Sequence, residues 1–247
     1  MSLRISLLAI FLSVNLLFGE APSVQQVQPL FIKGKEAYDQ DQFTQAADHY
    51  EAIIATGTYA PEVFYNLGNT YFRLGKFGLA ILNYKRSQYL APLDSSTEAN
   101  IRFAQKQAGA IIPNRSVFEK SFSLLTRKQW LTSVIMMYWI GCACLAAYFL
   151  LGRPPWLRKL ILSSGFIFTL SGFGLAGNAF FNAKPEAVIL ENGDALFAPL
   201  EDSEKHFTLP AGSIVRVTEE SGGWMQVQSG KEKGWIPQKS CEKVSEW

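Results

Sequence analysis

Side chains that could carry acid–base or metal chemistry are few in this sequence. The 247 residues include only two histidines, His49 and His206, which stand far apart in the chain. Of the three cysteines, Cys142 and Cys144 lie inside an apolar run and Cys241 is alone, so neither a zinc site nor a disulfide framework is indicated. No nucleophile elbow, H-E-x-x-H, P-loop or paired-carboxylate signature occurs. The sequence therefore predicts a protein without catalytic, metal or cofactor residues, and we expect it not to be an enzyme.

One motif match has to be weighed against its surroundings. Residues 172–177 satisfy G-x-G-x-x-G, a pattern that cradles a pyrophosphate when it follows a strand and opens a helix. Here the pattern lies deep inside an apolar run. Its small residues instead favour close helix packing, with Gly172 and Ala176 as a small-xxx-small pair. The packing partner is either the other apolar run or another subunit, and a flexible hinge is the alternative.

Two uncharged runs dominate the middle of the chain. Residues 130–152 and 160–183 contain 23 and 24 residues without a charge, and each exceeds the roughly 20 needed to cross a bilayer. The connection at residues 153–159 carries three bases, no acid and two prolines, which predicts a tight cytoplasmic loop by the positive-inside rule. We therefore expect a transmembrane helical hairpin with both flanking domains on the outer side.

The segments around this hairpin agree with a membrane location. Residues 1–21 place Arg4 before an apolar run and small residues, as in a secretory signal peptide; cleavage after Gly19 or Ala21 and retention as an anchor both remain open. Residues 113–159 hold seven bases and one acid, which beside apolar runs indicates lipid headgroups and not nucleic acid. Within them, residues 113–129 are either an interfacial helix or an ordinary linker.

A repeat precedes the hairpin. Gly34 and Gly68, Ala46 and Ala80, and Tyr50 and Tyr84 are each 34 residues apart, a period typical of paired-helix repeats. The glycines allow close approach of two helices, the alanines fit the crossing point, and the tyrosines fill the groove to the next repeat. A further helix at about residues 95–108 should cap the second repeat.

The run Asn66-Leu67-Gly68-Asn69-Thr70-Tyr71, followed by Ala80, Tyr84 and Pro92, resembles the tetratricopeptide repeat (TPR) family. The resemblance implies an all-α TPR domain at residues 27–112, with two repeats and a capping helix, and a groove that binds an extended peptide. A solvated helix face without a ligand is the alternative. The resemblance implies these protein-binding groove residues: Phe31, Lys35, Tyr38, Tyr65, Asn69, Phe72, Arg73, Asn100 and Phe103.

Beyond residue 184 the pattern becomes alternating and rich in turns, which predicts short strands at residues 187–190, 195–198, 213–218 and 224–227. The segment ending in Gly234-Trp235-Ile236-Pro237 resembles a bacterial SH3-type (SH3b) domain. The resemblance implies a small all-β barrel at residues 185–247 that binds peptides or cell-wall peptide stems. Trp224 is either a core or rim residue or a ligand platform. The candidate ligand-binding aromatics are Phe197, Phe207, Trp224 and Trp235.

The order of signal segment, repeats, hairpin and barrel resembles the BatE family of aerotolerance (Bat) operons. That resemblance implies a bacterial inner-membrane, multi-pass scaffold with TPR and SH3-like domains in the periplasm. It also implies partners among von Willebrand factor A-type Bat proteins and a MoxR-type ATPase system. The alternative function is binding or sensing of peptidoglycan through the SH3-like domain.

Overall fold

The structure, a computed structural model, describes residues 24–111, 117–181 and 184–246. The predicted signal peptide at residues 1–21 lies outside these ranges and stays a prediction. Within the described residues the chain forms a helical region followed by an antiparallel β-sheet. The helices are α1 (Val24–Asp39), α2 (Phe43–Ala55), α3 (Pro61–Arg73), α4 (Phe77–Leu90), α5 (Ser95–Ala108), α6 (Val117–Phe122), α7 (Arg127–Leu150) and α8 (Pro155–Phe181).

The first four helices form two equivalent pairs. A Cβ atom added to Gly34 would lie 2.8 Å from Cε1 of Tyr50, and one added to Gly68 would lie 2.7 Å from Cε1 of Tyr84. Each tyrosine ring therefore packs on the glycine of its own pair, which only a residue without a side chain permits. This recurrence confirms helical repeats with the predicted spacing. Helix α5 packs on α4. Its bounds agree with those predicted for the helix that should cap the second repeat.

Helix α4 is buried on nearly every side because the β-sheet also packs on it. Val188 and Ile214 of the sheet, and Val244 just beyond its last strand, belong to the same apolar core as α3 and α4. A Cβ atom on Gly78 would lie 2.8 Å from the carbonyl oxygen of Ile189 and still closer to that of Leu190. The helical repeats and the sheet therefore share one hydrophobic core.

Charged side chains of α4 complete this contact between the helices and the sheet. The Arg86 guanidinium donates to Oε1 of Glu242 at 2.5 Å and to the carbonyl oxygen of Glu246 at 2.8 Å. Lys85 Nζ lies 3.2 Å from Oε2 of Glu186. The Lys85 and Arg86 side chains are only 7% and 8% exposed, so both belong to the interior.

Helices α7 and α8 are long and apolar enough to cross a membrane, and they pack against each other. Their bounds differ from the predicted spans. Helix α7 begins at Arg127 because Thr126 caps it reciprocally with Gln129. Helix α8 begins at Pro155, inside the predicted loop, because proline suits the first helical turn, where its missing N–H is not needed. The turn between them is correspondingly shorter.

Small residues of α8 make close contacts, but not at the pair expected from the sequence. Around Gly172 no atom lies within 4 Å of an added Cβ, so the predicted pair with Ala176 does not mediate packing against α7. The Trp130 ring instead covers Gly174, and Phe122 of α6 covers Gly177. The correction follows from helix geometry, because residues 172 and 174 point in different directions around the axis.

Helix α6 is short and anchored on α8. The Asn178 side-chain amide donates to the carbonyl oxygens of Phe122 and Leu125 at 3.0 and 3.3 Å. Val117 and Phe118, in the first turn of α6, are 78% and 72% exposed. Residues 117–122 are helical, as the interfacial-helix alternative predicts. The segment is separated from α7 by non-helical residues 123–126.

The C-terminal region is an antiparallel sheet of seven strands in the order β3-β2-β6-β5-β4-β1-β7 within the described residues. Its inner face buries a second core around Leu209, Val215, Val227 and Ile236. Three strands, β3, β6 and β7, lie outside the four predicted ones: β3 is mostly exposed, β7 has three residues, and β6 buries three consecutive residues and so lacks alternation. The strands are β1 (Glu186–Ile189), β2 (Gly193–Leu196), β3 (Lys205–Leu209), β4 (Ile214–Ser221), β5 (Trp224–Ser229), β6 (Glu232–Pro237) and β7 (Cys241–Lys243).

Candidate functional site

Two surfaces of the molecule fit binding: the face formed by the first helix of each repeat, and a cleft at one end of the sheet. The first surface centres on Asn69. Its Oδ1 accepts from the Tyr84 hydroxyl at 2.7 Å and from Asn100 Nδ2 at 3.3 Å, and Asn100 also donates to the Tyr65 hydroxyl at 3.0 Å. Burial raises the pKa of Tyr84, so this hydroxyl stays protonated and keeps donating.

This network fixes the orientation of the Asn69 amide. Because the oxygen already receives two donors, the Nδ2 hydrogens are left for other acceptors. Among the described parts of the chain no acceptor for Asn69 Nδ2 is present. A carbonyl group of an extended peptide would meet that need.

Aromatic rings flank the amide cluster. Phe72 and Phe103 lie with ring centroids 5.4 Å apart, and Phe103 is 53% exposed. Phe31 packs on Tyr50 within the first repeat. The structure thus brings together Tyr65, Asn69 and Phe72 of α3 with Asn100 and Phe103 of α5, whereas Phe31 lies on α1 beside Tyr50.

The basic residues of the predicted groove lie toward its first repeat. Arg73 pairs with Asp41 at 2.9 Å, and its guanidinium lies 4.3 Å from the Phe43 ring centroid and 5.9 Å from that of Tyr38. Lys35 is exposed on α1. Sequence reasoning missed Asp41 and Phe43, which lie at the turn between α1 and α2 and meet Arg73 only through the stacking of the two pairs.

The predicted aromatics of the sheet do not form one surface. Phe197 is 59% exposed, with its ring 4.2 Å from that of His206, and His206 in turn lies 5.2 Å from the half-buried Phe207. Trp235, in contrast, is only 9% exposed, so it does not offer a face to a ligand as predicted. The burial of three consecutive residues, 234–236, explains the difference, because both faces of β6 are covered there.

Trp224 lines a cleft of about 330 Å³ at the end of the sheet. Its floor is apolar and includes Ile189, Leu209 and Ile236, while Asp194 and Glu201 stand at the rim. A volume of this size is at the lower end of small-ligand sites. Trp224 is half-buried, which fits both a rim residue and a wall of the cleft.

The titratable groups that could have suggested chemistry serve the core instead. Cys241 is buried with its Sγ 3.4 Å from Sδ of Met225, and burial raises the pKa of its thiol to about 12. It therefore cannot act as a thiolate nucleophile near neutral pH. Within residues 24–111, 117–181 and 184–246 no group of three or more metal-binding side chains comes together.

Comparison with known proteins identifies one segment of the chain. Residues 197–241 match the model of the bacterial SH3 domain, which covers most of the sheet from the end of β2 to the start of β7. No curated protein matches the chain. The C-terminal sheet is thus similar to a bacterial SH3 domain, a module associated with cell-wall binding or protein interaction.

Proposed function

We propose that this protein is a membrane-anchored scaffold without catalytic activity, whose TPR-type groove binds an extended segment of a partner protein on the periplasmic side. The observation that carries the proposal is the fixed amide of Asn69, which leaves Nδ2 for a ligand near the half-buried ring of Phe72 and the exposed ring of Phe103. Such an amide can bind the backbone of a peptide in any sequence context. Side-chain contacts with Phe72 and Phe103 then add selectivity.

The membrane anchor rests on the two apolar helices. None of the residues of α7 is buried, and large side chains such as Trp139 and Phe149 are 65% and 60% exposed. An apolar surface of this extent is unfavourable in water but favourable in lipid. Arg153 in the turn, with Arg158 and Lys159 near the start of α8, makes this end of the hairpin basic, which agrees with a cytoplasmic position.

Contact between the helical repeats and the sheet supports a common side for both. The two modules share a core and the ion pair of Arg86 with Glu242, so a single membrane cannot separate them. A hairpin with both ends on the same side meets this requirement. A reporter enzyme active only in the periplasm, fused after Trp247, should be active; activity of a cytosolic reporter at that position would contradict the orientation.

Within this framework the chain is a candidate BatE-type component, with von Willebrand factor A-type proteins and a MoxR-type ATPase system as expected partners. The order of modules supports this assignment. Co-purification from detergent extracts tests the groove: Asn69→Ala combined with Arg73→Ala should reduce recovery of partner proteins at least severalfold. The matched control is Gln45→Ala with Arg102→Ala, an exposed amide and an exposed arginine outside the groove. Equal recovery with both double variants would refute the groove assignment.

A second function, binding of peptidoglycan through the SH3-like sheet, is favoured by the cleft beside Trp224 and by the family match. Retention of the full chain on purified sacculi tests it. The full chain is required because Val188, Ile214 and Val244 would be exposed in an isolated sheet. Failure of the full chain to sediment with sacculi would remove this function.

A further inference from the structure

The cleft beside Trp224 has a charge pattern that indicates its ligand. Its floor is apolar, its wall is an indole, and its two titratable lining residues, Asp194 and Glu201, are both acidic. The surrounding segment, residues 184–247, carries eleven acids and seven bases. A ligand for this cleft therefore combines a short aliphatic chain with a positive charge.

A side chain of the protein itself shows how an ammonium group is held at this rim. Lys205 of β3 places its Nζ 2.9 Å from Oδ1 of Asp194. Lys205 and Thr208 hydrogen-bond to the Asp194 carboxylate and lower its pKa, so it stays ionised. Both partners of the ion pair are about half exposed, so the ammonium lies at the surface, on the rim and not on the floor.

Glu201 is the carboxylate that remains for a ligand. It is exposed, and no ion pair of Glu201 is present in the part of the chain that the structure describes. Trp224 lines the same cleft. An ammonium between a carboxylate and the face of an indole gains from both a charge pair and a cation–π contact.

We infer that this cleft binds peptides that bear a free side-chain ammonium, and that in the cell wall these are stem peptides with an unblocked amino group. The inference deepens the second proposed function, peptidoglycan binding, and rests on it. The aliphatic part of such a side chain fits the apolar floor of Ile189, Leu209 and Ile236. Its ammonium then reaches Glu201 at the rim.

The test uses the full chain in detergent and two preparations of purified sacculi, one native and one with its amino groups acetylated. We expect retention on native sacculi and about threefold to fivefold weaker retention on acetylated sacculi, the effect of one partly exposed ion pair. Glu201→Gln should reduce retention on native sacculi to the same extent. Glu219→Gln, which removes an exposed carboxylate of β4 outside the cleft, should leave it unchanged.

The possible failures are distinguishable. Equal retention on native and acetylated sacculi would overturn ammonium recognition while leaving peptidoglycan binding intact. An equal loss for Glu201→Gln and Glu219→Gln would overturn the assignment to the cleft, since it would reflect general charge. If the chain is retained on neither native nor acetylated sacculi, peptidoglycan binding and this inference are both overturned, and the groove function is unaffected. Binding of a soluble lysine-containing protein segment without retention on sacculi would overturn the assignment to wall peptides.

Discussion

Arg86 should contribute more to stability than its sequence context indicates, because it joins the helical repeats to the sheet. Its side chain is 8% exposed and donates to Glu242, to the Glu246 carbonyl oxygen and, at 3.4 Å, to that of Lys243. The substitution Arg86→Met keeps an unbranched apolar stem and removes all of these hydrogen bonds. It leaves the acceptors without the donor that they share.

The magnitude follows from the contacts. A hydrogen bond that involves a charged group contributes about 1.5–3 kcal/mol, and breaking a buried ion pair costs about 3–5 kcal/mol. Glu242 is 45% exposed, so water can solvate it after the change, which brings the expected loss to about 3 kcal/mol. For a chain of this size, that loss lowers the midpoint of thermal unfolding by about 6–12 °C.

Thermal unfolding of the detergent-solubilised full chain, followed by far-ultraviolet circular dichroism, measures this effect. The matched control is Arg102→Met, which removes an arginine whose pair with Glu98 is 65% and 52% exposed. That change should cost less than about 0.5 kcal/mol. Hydrogen exchange should also become faster in both α4 and β7 of Arg86→Met. Midpoints that agree within error for the two variants would refute the shared-core interpretation.

Three further predictions concern other contacts. Gly78→Ala should destabilise the chain by about 1–3 kcal/mol despite the better helix propensity of alanine, because its Cβ would meet the Ile189 and Leu190 carbonyl oxygens. The control Gly165→Ala, at an open position, should leave the midpoint of thermal unfolding unchanged. Burial raises the pKa of Tyr50 to about 12, so the unfolded chain ionises first and stability falls as the pH rises from about 10 toward 12; Tyr50→Phe should flatten this part of the pH–stability curve, and an unchanged slope would contradict the assignment. Gly174→Ile should displace Trp130 and separate α7 from α8, whereas Gly172→Ile should leave the two helices in contact. Cysteines placed at Ser133 and Ser171, whose hydroxyl oxygens are 2.8 Å apart, should therefore form a disulfide in Gly172→Ile but not in Gly174→Ile.

The local patterns of this sequence predict its helices better than its strands. The spacing of 34 residues predicted that Gly34 and Gly68, and likewise Tyr50 and Tyr84, occupy equivalent positions in two helix pairs, because the same packing requirement recurs in each pair. The tyrosines were expected in the groove to the next repeat, whereas each ring packs on the glycine of its own pair. The long uncharged runs likewise correspond to α7 and α8. The groove residues lie on three helices of known order, so their approximate proximity follows from the repeat.

Contacts between distant parts of the chain could not be predicted in the same way. Lys85 and Arg86 resemble solvent-exposed residues in the sequence, yet both are buried by strands about a hundred or more positions away. The one available signal was Gly78, a glycine inside a helix, which often marks a close approach of another element. Trp235 was misplaced for a related reason, since coverage on both faces of β6 removes the alternation on which strand predictions depend.

The packing of the sheet on α4 also has a consequence for biosynthesis. Arg86 and its acceptor on Glu246 are 160 positions apart in the sequence. The repeats therefore leave the ribosome long before the strands that cover α4 have been synthesised. Such distant pairing slows folding and prolongs the time during which apolar surface is open to chaperones and proteases. A truncated product that lacks β7 therefore leaves part of the α4 surface uncovered. Chaperones and proteases can recognise that exposed surface.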